Sequence, residues 1–199
     1  MRVMSKDWVG NQNSIFKCLG ASNHTEDERE TNDYYATDPS AIDDLLKVER
    51  FNSNIWECAC GEGHLSKRLE DYGYNVLSSD LIDRGYENAL VMDFLEQDNK
   101  FDGDIITNPP YKYCSEFILK ALELINDGNK VAMFLKLTTL EGQKRYEKIY
   151  SKQPAKTVYI YSKRKQCAKN GKFEGTSAVC YAWFVWEKGY QGDTILKWI

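Results

Sequence analysis

The sequence predicts an α/β fold: a mostly parallel sheet with helices on both faces and one antiparallel strand near its end. Three observations predict it. Short apolar strand-like runs alternate with amphipathic helical runs through most of the chain. One of those strands passes through a glycine turn straight into a helix. The last two strand-like runs have no helical run between them, and a strand that returns without a crossover must run antiparallel.

Taken in order, residues 41–46 place Ile42, Leu45 and Leu46 on one helical face. Ile55-Trp56-Glu57 is a short strand that enters the turn Cys58-Ala59-Cys60-Gly61-Glu62-Gly63-His64, and the amphipathic residues 65–70 follow. Strand, turn and helix in that order open a nucleotide-binding βαβ unit, in which Gly61 and Gly63 let the backbone approach a ligand closely. Lys67 and Arg68 stand near where a pyrophosphate fingerprint would carry its third glycine. That departure argues against a dinucleotide and against a nicotinamide oxidoreductase. Asn75-Val76-Leu77-Ser78-Ser79-Asp80 is the next strand and ends in an acid, about 20 residues past the glycines, the offset at which a carboxylate meets the ribose of an adenosine. Val91-Met92-Asp93-Phe94 ends the following strand, with Asp93 able to accept an adenine amine and Phe94 able to pack on the ring. Ile105-Ile106 is a buried strand. Residues 117–125 read as a helix closed by Asp127-Gly128, and residues 131–135 as a fifth strand. A helix over 142–150, a sixth strand over 158–161 and a seventh over 177–186 complete the domain.

Asn108-Pro109-Pro110-Tyr111 follows Ile105-Ile106, so it stands at the carboxyl end of a strand, where ligands collect in open α/β sheets. The Asn108 side-chain oxygen and the Pro109 carbonyl are two acceptors with no competing donor on either proline. Such an edge suits a planar NH₂ group. Taking both of its protons favours a pyramidal nitrogen whose lone pair can attack a methyl sulfonium. Tyr111 offers an aromatic face for the base that carries the amine. Glu57 is a carboxylate placed to meet a ligand's ammonium group.

In this order the motifs resemble the S-adenosylmethionine-dependent amino-methyltransferases, most closely the gamma-type adenine-N6 DNA methyltransferases of bacteria and phages. The resemblance spans roughly residues 33–186. It implies the class I, Rossmann-like methyltransferase sheet, S-adenosylmethionine as cofactor, and methyl transfer to the N6 amine of a flipped adenine in DNA. It also implies roles for individual residues. Tyr35-Ala36-Thr37-Asp38-Pro39 matches the motif that contacts the methionine part, with Asp38 where a first proline is usual; Tyr35 and Thr37 are its contacts. Glu57, Ala59, Gly61 and Gly63 correspond to the first cofactor motif, Asp80 to the ribose acid, and Asp93 and Phe94 to the adenine pair. Asn108, Pro109, Pro110 and Tyr111 are the catalytic motif, with Asn108 also bordering the cofactor. Phe173 matches a late aromatic residue that helps hold the flipped base.

Composition bounds the partners. The net charge is −4, yet residues 143–173 carry ten lysines and arginines against Glu147 alone. A basic segment after the catalytic motif is where a phosphate backbone would lie, and Arg164 and Lys165 are its expected contacts. The six cysteines show no C-x-x-C spacing and no clustering with His24 or His64, so neither a metal site nor a disulfide framework is expected. No signal peptide is visible, and the longest uncharged apolar run, residues 178–186, has about half the length that spans a bilayer. A cytoplasmic protein without a membrane partner is expected, in a bacterial or phage-infected cell.

Residues 34–199 read as one domain. Residues 1–33 are a polar arm for which two readings stay open, partial disorder and closure over the cofactor. Since the chain stops at Ile199 without a target-recognition domain, recognition of DNA is expected to be short, loose, or supplied by a partner or second copy. Three rivals remain. RNA adenine and protein glutamine methyltransferases share Asn-Pro-Pro-Tyr, although the glutamine enzymes carry a longer N-terminal domain. A catalytically silent binding subunit with the same fold is the third.

Overall fold

The computed structural model describes residues 36–163, 165, 167–168 and 179–199. The arm over 1–33, Tyr35, Arg164 and Phe173 lie outside the described residues. The described residues begin with β1 (Ala36–Thr37) and α1 (Ser40–Val48). Asp38 explains itself here: its Oδ1 accepts the Ser40 N–H at 2.9 Å, satisfying one of the first amides of α1, which a proline at that position could not do. Then come β2 (Asn54–Glu57), α2 (His64–Asp71), β3 (Asn75–Asp80), β4 (Ala89–Val91) and β5 (Asp104–Thr107). α3 (Cys114–Leu124) and β6 (Lys130–Lys136) follow.

Residues 142–150 depart from the expected regular helix. A single α-turn, α4 (Gln143–Arg145), widens into a π-turn over Tyr146–Tyr150. Arg145 ties this segment to the preceding turn, since its guanidinium donates to the carbonyls of Thr138, Thr139 and Glu141. The chain ends with β7 (Thr157–Ile160), β8 (Cys167–Ala168), β9 (Tyr181–Glu187) and β10 (Ile195–Trp198).

Eight strands form the main sheet in the order β10-β7-β9-β6-β5-β2-β3-β4. All neighbours are parallel except those of β9, which inserts antiparallel between β6 and β7. The expected antiparallel seventh strand is therefore present as β9. β10, which has no counterpart in the seven expected strands, extends the sheet beyond β7.

Alternation of side chains along the strands builds two cores. Ile105, Val131, Met133, Leu135, Phe184 and Trp186 pack on one face with Phe117, Ile118, Ala121 and Leu122 of α3. Ile55, Ile106, Ala132, Phe134, Trp183 and Val185 pack on the other with Ile42 and Leu45 of α1 and Leu65 and Leu69 of α2. Helices thus cover both faces, as a parallel sheet requires. Among the described residues no helix is long and apolar enough to cross a membrane.

Candidate active site

From β2 the chain moves to β3 and β4 on one side, and later to β5 and β6 on the other, so the strand order switches between β2 and β5. A crevice opens at such a switch point, at the carboxyl ends of the strands. The candidate residues gather there along a line of hydrogen bonds.

Thr37, at the end of β1, accepts from Asn108 Nδ2 at 2.8 Å. This bond orients the amide: with its nitrogen on Thr37, the Asn108 oxygen faces the other way. Thr37 is only 3% exposed, and its hydroxyl, expected to touch a cofactor, is here bonded to Asn108. The Pro110 carbonyl is taken by Tyr113 N at 2.9 Å, whereas among the described residues no donor takes that of Pro109. One residue back, Thr107 donates its hydroxyl to Glu57 Oε1 at 2.5 Å, and the Ala59 N–H donates to the same oxygen at 3.3 Å.

Glu57 is 1% exposed, a carboxyl sealed under the glycine turn. Burial pushes its pKa up to about 8 against the hydrogen bonds from Thr107 and Ala59, and the negative Asp80 nearby adds to the rise. A cation brought to this carboxyl would reverse the cost of its ionisation.

The turn itself needs its glycines. Gly61 and Gly63 have φ of 55° and 78°, and a Cβ at Gly63 would meet the Tyr86 ring at 2.6 Å. Gly61 N donates to Asp80 Oδ2 at 2.9 Å, while Asp80 Oδ1 accepts from Ile82 N at 3.1 Å and lies 3.8 Å from Arg84 Nε. Each carboxylate oxygen keeps a further lone pair for a ligand hydroxyl. Asp93 begins a 3₁₀ turn, Phe94–Glu96, by accepting from Leu95 N at 2.9 Å.

Two expected contacts stand differently in the structure. Phe94 is 2% exposed and packs edge-on against Trp56 at 5.1 Å and tilted against Phe117 at 5.1 Å, so it is a core ring rather than an open face for an adenine. Lys165, expected on phosphate, pairs with Asp44 Oδ2 at 2.7 Å and donates to Ser40 Oγ at 2.8 Å, tying the chain to α1. Arg145 and Lys156 of the same basic segment are likewise engaged, Arg145 by backbone carbonyls and Lys156 by Glu187 at 2.6 Å. Lys144, Lys148, Lys152 and Lys163 remain exposed.

Tyr111 stacks on Tyr181 at 5.9 Å, and Lys136 Nζ lies 4.7 Å from its ring centre. Sequence reasoning missed Thr107, Lys136 and Tyr181. Thr107 carried the one usable signal, a polar residue closing a buried apolar strand directly before Asn108.

The sheet order and the inserted antiparallel strand are those of the class I, Rossmann-like methyltransferase fold. A candidate class I S-adenosylmethionine-dependent methyltransferase from Listeria monocytogenes superposes over 94% of this chain and 71% of its own, with a TM-score of 0.58 at 13% identity. A candidate RNA methyltransferase from Pyrococcus horikoshii covers 89% of this chain and 99% of its own (TM-score 0.54, 15% identity). The modification subunit of a candidate type I restriction enzyme from Vibrio vulnificus covers 92% of this chain (TM-score 0.56, 13% identity), and this chain spans only 48% of that subunit. No protein-family model and no curated protein matches the chain.

If Asp80 meets a ribose, Asp80→Ala should weaken S-adenosylmethionine binding by on the order of 1–3 kcal/mol, as expected for the loss of a charged hydrogen bond. Asp80→Asn retains an acceptor for Gly61 N and should lose less. Titration calorimetry reads both, and wild-type affinity in Asp80→Ala would remove this acid from the site.

Proposed function

We propose that this protein transfers a methyl group from S-adenosylmethionine to the exocyclic N6 amine of adenine in DNA. The observation that carries the reading is the Asn108 amide, held by Thr37 at the carboxyl edge of β5, on the sheet edge that also carries Glu57 and Asp80. The residues present fit the cofactor. Glu57 suits an ammonium group, whose charge would ionise it, Asp80 suits vicinal hydroxyls, and the positive φ of Gly61 and Gly63 shapes the turn between them. Asp93 accepts an adenine amine on this reading.

The bound cofactor would supply a methyl group on a cationic sulfur. The protein's part is position and electrostatics. Asn108 Oδ1 and the Pro109 carbonyl accept hydrogen bonds from the two N–H groups of the target amine, which turns its lone pair outward; the surplus proton of the methylated amine is released to solvent. Thr37 holds the Asn108 amide at the strand edge, so it is positioned before substrate arrives. Tyr111, braced by Tyr181, stacks the extruded base. Exposed Lys144, Lys148, Lys152 and Lys163 supply positive charge for a phosphate backbone, while Arg164 and Phe173 keep their proposed roles on phosphate and base. Partners on this reading are DNA and, for site selection, a recognition subunit or a second copy. The restriction-enzyme subunit among the structural neighbours is a precedent for the fold in such an assembly. Host or phage-infected cytoplasm is the proposed setting.

The test is a panel assay. Labelled S-adenosylmethionine is incubated with the protein and DNA, RNA or a release-factor-like protein carrying a glutamine target. Label in N6-methyladenine of DNA is expected. Label in RNA or protein alone would replace the substrate, and no label with retained cofactor binding would favour a silent binding subunit.

A further inference from the structure

Lysines set partly into this protein are met by oxygen partners. Lys130 pairs with Glu49 at 2.8 Å, Lys156 with Glu187 at 2.6 Å, Lys165 with Asp44 at 2.7 Å and Lys120 with Glu123 at 3.2 Å, and Lys188 donates to the Ile125 carbonyl at 2.7 Å. Lys136 is the exception. It is half-buried at the end of β6, and among the described residues no carboxylate lies within ion-pair reach of it and no oxygen accepts from it. Its contact is the ring of Tyr111. A partly buried lysine with no counter-charge can take one from a ligand.

Its place in the fold says where that ligand lies. β5 and β6 are parallel with Thr107 beside Met133, so Lys136 leaves the sheet on the same edge as Asn108, two residues higher, roughly 7 Å at the usual strand rise. Lys136 also faces Tyr181 directly across β6 and β9, and Tyr111 rests on both. The cation therefore lies over the ring expected to stack the target base.

The geometry points to Lys136 as a substrate-binding residue that takes a phosphate of the nucleotide whose base stacks on Tyr111. This assignment rests on the nucleic-acid reading above, and it makes the substrate of the site an anionic nucleotide strand rather than a peptide.

Two readouts separate the assignment from the reading. Wild-type activity on a single-stranded oligodeoxynucleotide with one adenine, against a glutamine peptide, tests the reading; peptide-only activity overturns both. With DNA activity present, Lys136→Met should raise the oligonucleotide KM about tenfold with kcat nearly unchanged. The slope of log affinity against log salt should become shallower by about 0.7, the value for one phosphate contact on a single strand. Lys136→Arg should restore the slope. S-adenosylmethionine affinity should be unchanged in both variants, which also reports folding. If Lys136→Met fails to fold, Lys136→Gln carries the same comparison. An unaltered salt slope in a folded, uncharged variant overturns the assignment and leaves the DNA reading standing.

Discussion

Asn108→Ala is expected to slow methyl transfer to adenine by on the order of 10² or more while S-adenosylmethionine affinity barely changes. The substitution removes one of the two acceptors that orient the amine, and a preorganised contact of this kind is worth most in the transition state. Asn108→Asp should retain more activity than alanine. The Thr37 hydroxyl, which accepts from Asn108 Nδ2 at 2.8 Å, can rotate and donate to a carboxylate instead, so the aim of the acceptor is preserved. Thr37→Val deletes that control without touching the acceptor, and its rate should fall between those of wild type and Asn108→Ala. Single-turnover rates with saturating cofactor provide the check. A native rate in Asn108→Ala would reduce Asn108-Pro109-Pro110-Tyr111 to a turn.

Glu57 should dominate the pH dependence of both stability and cofactor binding. Its folded pKa of about 8 lies above the ordinary value of 4.5, with burial as the largest cause. Between those values the folded protein holds a proton that the unfolded chain has released. The stability of the ligand-free protein should therefore fall as pH rises through this window, by up to about 1.4 kcal/mol per pH unit, and level off above it. Glu57→Gln keeps an oxygen for Thr107 and Ala59 and should remove most of that slope in denaturant titrations. Cofactor binding has the opposite sign. An ammonium beside Glu57 favours the carboxylate, so binding near pH 7 should release a proton and tighten as pH approaches 8. Calorimetry in buffers of different ionisation enthalpy measures the released proton, and zero release would remove Glu57 from the ammonium site.

The site was legible wherever its chemistry is local. Gly61 and Gly63 sit in a turn between a strand and a helix, Asp80 ends a strand, and Asn108 follows one; each position is set by a few neighbouring residues. The partners of these residues were not legible. Thr37 and Asn108 are 71 residues apart, Glu57 and Thr107 are 50 apart, and Lys165 reaches Ser40 across 125. Nothing in a local pattern distinguishes a lysine that meets phosphate from one that closes an ion pair on a distant helix.

The sequence by itself determined the strand-and-helix alternation, the order of the motifs and the reversal at β9, because apolar period and turn chemistry act over a handful of residues. It did not reveal β10: all four of its residues are exposed, so no buried face imprints a period on them. Tertiary structure alone decided that Glu57 is sealed from water and that Thr37 holds Asn108. It also decided that Phe94 belongs to the core and that Lys136 is left with Tyr111. The physical reason is common to all of these: burial and pairing are properties of the space between strands, and that space exists only once the sheet has closed around them.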